Sequence, residues 1–208
     1  FYECGEFGVD VVLDFEGYEG EPHCVQDVMP SCPTNLVDCT LQCYGGGLEH
    51  EPIFDDYYPR RMLAYQKSKT LPKNQKLREH IERIESILIS QNYIETGWFC
   101  FSSIRYLKRH FKQRLNVVHL TRDPIDTCSS MMTHEYYSPT RTSDNINEKA
   151  LITPFDEGAS LSCYQQSWSK FSLFQKCLYL WGEIHSLGIQ LESEYKKKFI
   201  RVTYEEIF

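Results

Sequence analysis

The sequence predicts an α/β protein in which helices and a parallel sheet form three layers. The first observation is the run Val117–Leu120, which is short, rich in β-branched residues and typical of a strand buried on both faces. The second is that predicted strands and helices alternate along the chain, which favours parallel neighbours. The third is composition: 208 residues with 41% hydrophobic and 25% charged content suit one domain, residues 1–208.

The first half of the chain contains one predicted strand and two predicted helices. The strand is Val9–Leu13, and residues 43–52, CYGGGLEHEP, have the composition of a loop. Pro59 suits the start of a short helix. A longer helix is predicted within residues 71–91, where apolar residues recur at helical spacing on one face. That face consists of Leu77, Ile81, Ile84, Ile87 and Leu88.

The middle of the chain contains two further strands, each followed by a helix. Residues 92–97, NYIETG, predict a short strand, and residues 98–115 predict an amphipathic helix with a basic last turn. A strand, a tight turn and a helix then occupy residues 116–133. Asp123 can cap that helix, and Pro124 suits its first position.

The last third is predicted to hold a long connection, a long helix and a strand. Residues 134–160 lack clear periodicity, and long connections of this kind often act as lids or binding loops, so we expect a lid or an acceptor loop there. A helix is predicted from about Cys163 to Lys197, with Gly182 and Gly188 as candidate break points. Residues 199–207 predict a final strand.

The nine cysteines do not predict a metal site. Five of them fall early in the chain, and their spacings match no paired metal-binding pattern. Free thiols in a reducing compartment are the favoured interpretation. Disulfides in an exported or lumenal protein are the alternative, although the count is odd and no N-glycosylation sequon is present. The five early cysteines are Cys4, Cys24, Cys32, Cys39 and Cys43.

The net charge of −7 argues against broad binding of nucleic-acid polymers. Any anion-binding site must therefore be a local cluster of basic residues. No apolar run approaches the length needed to span a bilayer. Arg122 follows a predicted strand directly and precedes a helix, which is where α/β sheets bind anionic ligands. The alternative is that Arg122 forms an ion pair with Asp123 or Asp126 at a surface turn.

Residues 117–131, VVHLTRDPIDTCSSM, resemble the segment of sulfotransferases that binds the 3′-phosphate of their donor, 3′-phosphoadenosine 5′-phosphosulfate (PAPS). The shared features are a hydrophobic strand, an arginine, a proline and a serine eight residues after the arginine. The resemblance implies that Arg122 and Ser130 bind the 3′-phosphate, with Ser129 beside them. It also implies a fold like that of P-loop NTPases.

Two further segments are similar to the same superfamily. Residues 93–98, YIETGW, resemble a strand that ends in Glu and Thr, and residues 199–208, FIRVTYEEIF, resemble a late strand followed by Tyr-Glu. Together the three similarities span roughly residues 90–208. They imply transfer of a sulfuryl group to a hydroxyl or amine of a small-molecule or glycan acceptor.

Sulfuryl transfer requires a base for the acceptor, and Glu95 is the predicted candidate because it ends a strand on the expected sheet edge. The alternative is that Glu95 only pairs with a nearby basic side chain. His134 is a second candidate base. His119 lies inside an apolar strand and is predicted to be a core histidine, and Trp168 and Trp181 are predicted to lie in the core.

The sequence departs from the family in two respects. In residues 93–98, Gly97 stands where the family has a proline, and no lysine separates Glu95 from Thr96. The second departure is more serious. No segment matches the loop of Lys or Arg followed by Ser-Gly-Thr-Thr that binds the 5′-phosphosulfate. We expect a fragment, incomplete at both ends, whose donor loop lies upstream of Phe1. If that loop has been lost, the alternatives are a non-catalytic nucleotide-binding relative or another P-loop-type phosphotransferase. The expected compartment is the cytoplasm, with the Golgi lumen as the alternative.

Overall fold

The computed structural model describes residues 8–13, 47–50, 59–68, 75–141 and 146–207. Five strands in this part of the chain form one sheet in the order β2-β3-β1-β4-β5. The strands are β1 (Gly8–Leu13), β2 (Gly47–His50), β3 (Tyr93–Thr96), β4 (Leu115–Thr121) and β5 (Phe199–Thr203).

The sheet is mixed, which corrects the prediction that it is parallel throughout. β2 is parallel to β3, and β4 is parallel to β5, but β1 runs antiparallel to both of its neighbours, β3 and β4. An apolar run such as Val9–Leu13 predicts a buried strand without predicting its direction. The prediction of a loop for residues 43–52 was also wrong at Gly47–His50, which pairs along β3. The remaining residues of that segment lie outside the described part of the chain. Pairing with a neighbour overrode the weak local propensity of this glycine-rich segment.

Seven α-helices are described, and short 3₁₀ turns extend several of them. Residues 98–102 form a 3₁₀ turn before the third helix, and residues 112–114 form another directly before β4. A third 3₁₀ turn, residues 196–198, directly precedes β5. The helices are α1 (Pro59–Ser68), α2 (Gln75–Ile87), α3 (Ile104–Phe111), α4 (Pro124–Thr133), α5 (Ile146–Lys149), α6 (Leu173–Tyr195) and α7 (Tyr204–Ile207).

The long helix α6 begins ten residues later than the sequence predicts. Ser172 and Gln175 form a capping box, in which each side chain accepts from the backbone N–H of the other, and this fixes the start of the helix. Gly182 and Gly188 both lie inside the helix without a break. Trp168 therefore lies before the helix, in the turn Trp168–Lys170, and both it and Trp181 pack half-buried against the core.

Right-handed crossovers place the helices that connect the parallel strands on one face of the sheet. This follows because the chain moves across the sheet in the same direction from β2 to β3, from β3 to β4 and from β4 to β5. The opposite face is covered at β3, where Ile94 is buried, but Ile200 on β5 is 44% exposed. The predicted third layer is therefore incomplete over the described part of the sheet.

The core lies between the sheet and these helices. The predicted apolar face of α2 is confirmed, since Leu77, Ile81, Ile84 and Leu88 are buried and Ile87 is half-buried. Part of the predicted lid belongs to this core, because Ala150, Leu151 and Ile152 have no exposed surface. None of the described helices is long and apolar enough to cross a membrane.

Helix α6 approaches β4 closely at Gly188. A Cβ atom at Gly188 would lie 2.3 Å from Cε1 of His119, whereas one at Gly182 would lie 3.2 Å from the end of the Leu161 side chain. We expect Gly188→Ala to lower the free energy of unfolding by about 1–3 kcal/mol, because it overpacks the interface between α6 and β4. Gly182→Ala is the matched control and should be neutral or slightly stabilising, because alanine favours a helix. Urea unfolding of both variants measures this, and equal effects would contradict the close approach.

Candidate functional site

The strand, turn and helix predicted around Arg122 are present. The Asp123 carboxylate caps α4 by accepting hydrogen bonds from the backbone N–H groups of Ile125 and Asp126, at 2.8 and 3.2 Å. Pro124 occupies the first turn of the helix. Arg122 therefore stands between the end of β4 and a capped helix, at the carboxyl edge of the sheet.

The parallel pairing of β4 with β5 brings a second segment to the same place. Thr121 pairs with Thr203, so the residues that follow both strands lie side by side. The Arg122 guanidinium lies 4.7 Å from the centre of the Tyr204 ring, a distance typical of a cation–π contact. The backbone N–H of Asp123 donates to the Glu205 carboxylate at 3.1 Å. Two of the segments that resemble sulfotransferases thus meet at one edge.

The carboxylates around this edge are bonded to the backbone. Besides the Asp123 cap, Glu205 accepts from Asp123, and Glu206 accepts from the backbone N–H of Thr203 at 2.9 Å. Hydrogen bonds from the backbone and then the side chain of Thr203 lower the pKa of the Glu206 carboxyl. Within the part of the chain that the structure describes, Arg122 forms no ion pair with Asp123 or Asp126, so the alternative reading of an ion-paired surface turn is not what is seen.

The two predicted serines lie on different faces of α4. Successive helical residues are turned by about 100°, so Ser130, seven residues after the N-cap Asp123, falls on the same side of α4 as Asp123, and Ser129 does not. The Ser129 hydroxyl donates to the carbonyl of Ile125 at 2.7 Å. The Ser130 hydroxyl makes no hydrogen bond with another described residue. Helical geometry therefore favours Ser130 over Ser129 as a partner of Arg122, and the role of both serines stays a prediction.

Glu95 lies in a buried polar cluster away from the sheet edge. Its side chain has no exposed surface and accepts from the Tyr93 hydroxyl at 3.1 Å and from the Cys100 thiol at 3.3 Å. The third contact of the Glu95 carboxylate is with Nε2 of His80, which lies 3.1 Å from Oε2. Burial, and then the negative charge of Glu95, raise the pKa of Tyr93, so the tyrosine stays a donor. Sequence reasoning missed His80, which lies on the apolar face of α2.

The structure does not bring Glu95 next to Arg122. Both strands point their carboxyl ends to the same edge, as predicted, but they are not adjacent, because β1 lies between them. Glu95 is level with Val117 through their shared partner Val11, five residues short of Arg122. With about 4.8 Å between strands and about 3.3 Å per residue, their Cα atoms are roughly 20 Å apart. The role of Glu95 as a base stays a prediction.

His119 is a core histidine, as the sequence predicted. It is buried, and its Nε2 lies 2.7 Å from Nδ1 of His185 on α6. Burial, and then the charge of Arg201, lower the pKa of His119 to about 4. Burial, and then His119, lower the pKa of His185 to about 3. The Trp181 ring lies 4.2 Å from the His185 ring between centres, tilted by 57°. Its indole N–H donates to the carbonyl of Arg122 at 3.3 Å, so the histidine pair adjoins the turn.

The second candidate base lies at the start of the predicted lid. His134 is exposed at the end of α4, 6.3 Å from Tyr136 between ring centres, and Tyr136 lies 6.0 Å from Trp98. The Tyr137 hydroxyl donates to the carbonyl of Ile152 and ties the segment to the core. A cavity of about 290 Å³ lies elsewhere, between Leu63, Leu187 and neighbouring residues. Residues 158–160 of the predicted lid line it, whereas Arg122, Ser130 and Glu95 do not.

Four free cysteines are described. Cys100, Cys128 and Cys177 are buried and Cys163 is exposed, while the five early cysteines lie outside the described residues. Among the described residues, no group of three or more His, Cys, Asp or Glu side chains could hold a metal ion.

The structure defines an α/β protein with a single arginine turn at the carboxyl edge of β4 as its candidate site. No protein-family model, no curated protein and no solved structure matches the chain.

The setting of Glu95 predicts a structural contribution. Glu95→Gln should lower the free energy of unfolding by about 1–3 kcal/mol, because the Tyr93 hydroxyl and the Cys100 thiol donate to different oxygens of Glu95 and an amide has only one oxygen that can accept. Glu79→Gln is the control, since Glu79 is exposed and accepts only from Gln75 in its own helix. Urea unfolding of the two variants checks this. Equal stability of Glu95→Gln and wild type would contradict the buried cluster.

The histidine pair predicts acid sensitivity. The ordinary histidine pKa of about 6.5 applies to the unfolded chain, whereas both folded values are lower. Stability should therefore be full above about pH 6.5 and fall as the pH drops towards 4, by about 1–2 kcal/mol per histidine between pH 7 and 5. His185→Gln should reduce this pH slope, and His134→Gln, at an exposed position, should leave it unchanged. Identical slopes in urea unfolding of wild type and His185→Gln would contradict the account.

Proposed function

We propose that the carboxyl edge of β4 and β5 binds the 3′-phosphate of PAPS and that the chain belongs to a sulfotransferase-like enzyme. The observation that carries the proposal is the meeting of Arg122 with Tyr204. The two residues are 82 positions apart, each follows a strand, and each lies in a segment that resembles the same superfamily. The proposal covers the 3′-phosphate half of the nucleotide site.

Arg122 would supply the charge and a two-pronged set of donors for the phosphate. Ser130 would add a hydroxyl from two turns into α4, on the same side of the helix. The Arg122 side chain, extending along α4, can approach the phosphate from one end. Ser130 approaches it from the other end, about 10 Å further along the helix axis. Tyr204 would hold the guanidinium at the edge when no anion is bound.

The negative charges of the carboxylates near Arg122 weaken the binding of any anion. They make the site selective for ligands that gain strong hydrogen bonds from Arg122. Asp123, Asp126, Glu205 and Glu206 all lie close to Arg122 in sequence or in space, so a weakly held anion is repelled. Three of the four accept backbone hydrogen bonds, which leaves the guanidinium available to a ligand. A doubly charged phosphate that gains charged hydrogen bonds from Arg122 can offset this field, whereas a neutral ribose hydroxyl cannot.

In sulfuryl transfer the acceptor oxygen or nitrogen forms a bond to sulfur, the bond from sulfur to the phosphate oxygen breaks, and a base takes the acceptor proton. To act as the base, Glu95 would need an open path to the acceptor, but its side chain is fully buried. This burial favours the alternative function, a nucleotide-binding relative without catalysis. His134 is exposed and is the more accessible candidate base.

The test is calorimetric titration of 3′,5′-bisphosphoadenosine and adenosine 5′-phosphate into the chain. Wild type should prefer the bisphosphate. Arg122→Ala should weaken its binding roughly ten- to a hundred-fold, because charged hydrogen bonds contribute about 1.5–3 kcal/mol each. Adenosine 5′-phosphate should bind equally to both proteins.

Two matched controls sharpen the test. Arg201→Ala removes the same charge from the neighbouring strand, where Arg201 pairs with Glu192, and should leave binding unchanged. Ser130→Ala should weaken the bisphosphate more than Ser129→Ala, because only Ser130 faces the turn. No preference for the bisphosphate in wild type, or equal losses for both nucleotides in Arg122→Ala, would refute the proposal.

A further inference from the structure

The cavity of about 290 Å³ lies beside helix α6 and has both apolar and charged lining residues. Its apolar lining includes Leu63 of α1, Phe101 of the 3₁₀ turn before α3, and Leu187 of α6. Its charged lining residues are Arg105 of α3 and Glu183 of α6. Pockets for drug-sized ligands begin at about 300 Å³, so a cavity of this volume suits a smaller organic molecule.

Glu183 places a buried carboxylate in the wall of this cavity, since the residue is only 3% exposed. Its Oε1 accepts from the backbone N–H of Leu161 at 2.7 Å and from the Tyr179 hydroxyl at 2.8 Å. Its Oε2 accepts from the backbone N–H of Ser160 at 2.9 Å. A carboxylate has about four acceptor sites, so one site on Oε2 remains for a ligand.

The negative charge of Glu183 has no basic counterpart among the described residues, because no lysine, arginine or histidine there pairs with it. The donors that it does have are neutral. Burial, and then the hydrogen bond to Glu183, raise the pKa of the Tyr179 hydroxyl, so Tyr179 stays a neutral donor. A buried carboxylate is costly unless it is both hydrogen-bonded and paired with a cation. An ammonium group of a ligand would supply the missing positive charge.

Arg105 brings a guanidinium with unused donors to the same cavity. Its Nε and Nη2 donate to the Glu194 carboxylate at 3.2 and 2.5 Å. A guanidinium has five N–H donors, and within the described part of the chain those on Nη1 bond to no residue. A carboxylate of a ligand could therefore bind to Nη1 while Glu194 keeps its place.

The two charged groups lie at different levels along α6. Glu183, Leu187, Gln190 and Glu194 follow one another at helical spacing and share one face of the helix. From Glu183 to Gln190, which also lines the cavity, the helix rises by about 10 Å. Arg105 belongs to the Gln190 end, because it is bonded to Glu194 one turn further on. A ligand that meets both charges must therefore be elongated, with an apolar middle beside Leu187.

We propose that this cavity binds a small ω-amino acid, a molecule with an ammonium group and a carboxylate at opposite ends of an alkyl chain. The ammonium lies at Glu183, the carboxylate at Arg105 and the methylene groups against the apolar lining. An α-amino acid carries both charges on one carbon and its neighbour and cannot reach both ends. Because Arg122 does not line the cavity, this binding does not depend on the proposed function.

The test is nuclear magnetic resonance of the ¹⁵N-labelled chain during titration with 6-aminohexanoate, hexylamine and hexanoate. 6-Aminohexanoate should shift the backbone amides of Ser160, Leu161 and Glu183 saturably, with a dissociation constant on the order of 1 mM for so small a ligand. It should bind about ten-fold more tightly than hexylamine or hexanoate, because each of these lacks one charged hydrogen bond.

Three variants separate the two ends of the cavity from its volume. Arg105→Gln should weaken 6-aminohexanoate about ten-fold without weakening hexylamine. Glu183→Gln should weaken 6-aminohexanoate and hexylamine about ten-fold without weakening hexanoate. Ala159→Leu narrows the cavity without removing a charge and should weaken all three ligands. It keeps the test open should Glu183→Gln fail to fold.

The matched control is Arg201→Gln. Arg201 also pairs with a glutamate of α6, Glu192 at 3.3 Å, but does not line the cavity, so its loss should leave the binding of all three ligands unchanged. Three outcomes would overturn the proposal. They are no shift of the cavity amides with 6-aminohexanoate up to about 50 mM, equal affinity of wild type for the three ligands, and equal losses in Arg105→Gln and Arg201→Gln.

Discussion

The pairing of β4 with β5 is the constraint on which the candidate site depends. Its register sets Thr121 beside Thr203 and thereby places Arg122 against Tyr204 and Asp123 against Glu205. Helix α6 can lie close enough to maintain this pairing because Gly188 has no side chain where His119 rises from β4. The same helix carries Trp181, whose hydrogen bond to the carbonyl of Arg122 joins the buried histidine pair to the turn. Stability of the core and geometry of the site therefore share one interface.

The sheet separates charge along its length. Among the described residues, the turn at the carboxyl edge of β4 holds Arg122, and Asp123, Glu205 and Glu206 there accept hydrogen bonds from backbone N–H groups. The turns that enter β4 and β5 at the other edge contain Lys112, Arg114 and Lys196–Lys198. A single guanidinium beside a helix hydroxyl favours one compact, multiply charged phosphate. The net charge of −7 does not show this division, because it sums the charges of both edges.

Local patterns in the sequence predicted the parts of the site that depend on local physics. The cap by Asp123, the first-turn proline, the buried strand around His119 and the apolar face of α2 all follow from short-range rules. The position of Glu95 did not follow, because it depends on β1 inserting antiparallel between β3 and β4, and strand direction has no signature in an apolar run. His185 and Tyr204 were also missed as partners, since each meets its neighbour only through a contact between distant segments. The start of α6 could have been found from the capping pair Ser172 and Gln175.

The central claim is that the Arg122 turn, and no other part of the chain, receives the 3′-phosphate. It is tested most directly by nuclear magnetic resonance of the ¹⁵N-labelled chain during titration with 3′,5′-bisphosphoadenosine. The account predicts saturable shifts of the Arg122 side-chain Nε–H signal and of the backbone amides from Asp123 to Ser130. The same amides should shift less with adenosine 5′-phosphate. Shifts confined to surface lysines such as Lys196–Lys198, with the Arg122 signal unchanged, would show that the nucleotide is attracted by surface charge alone and would contradict the account.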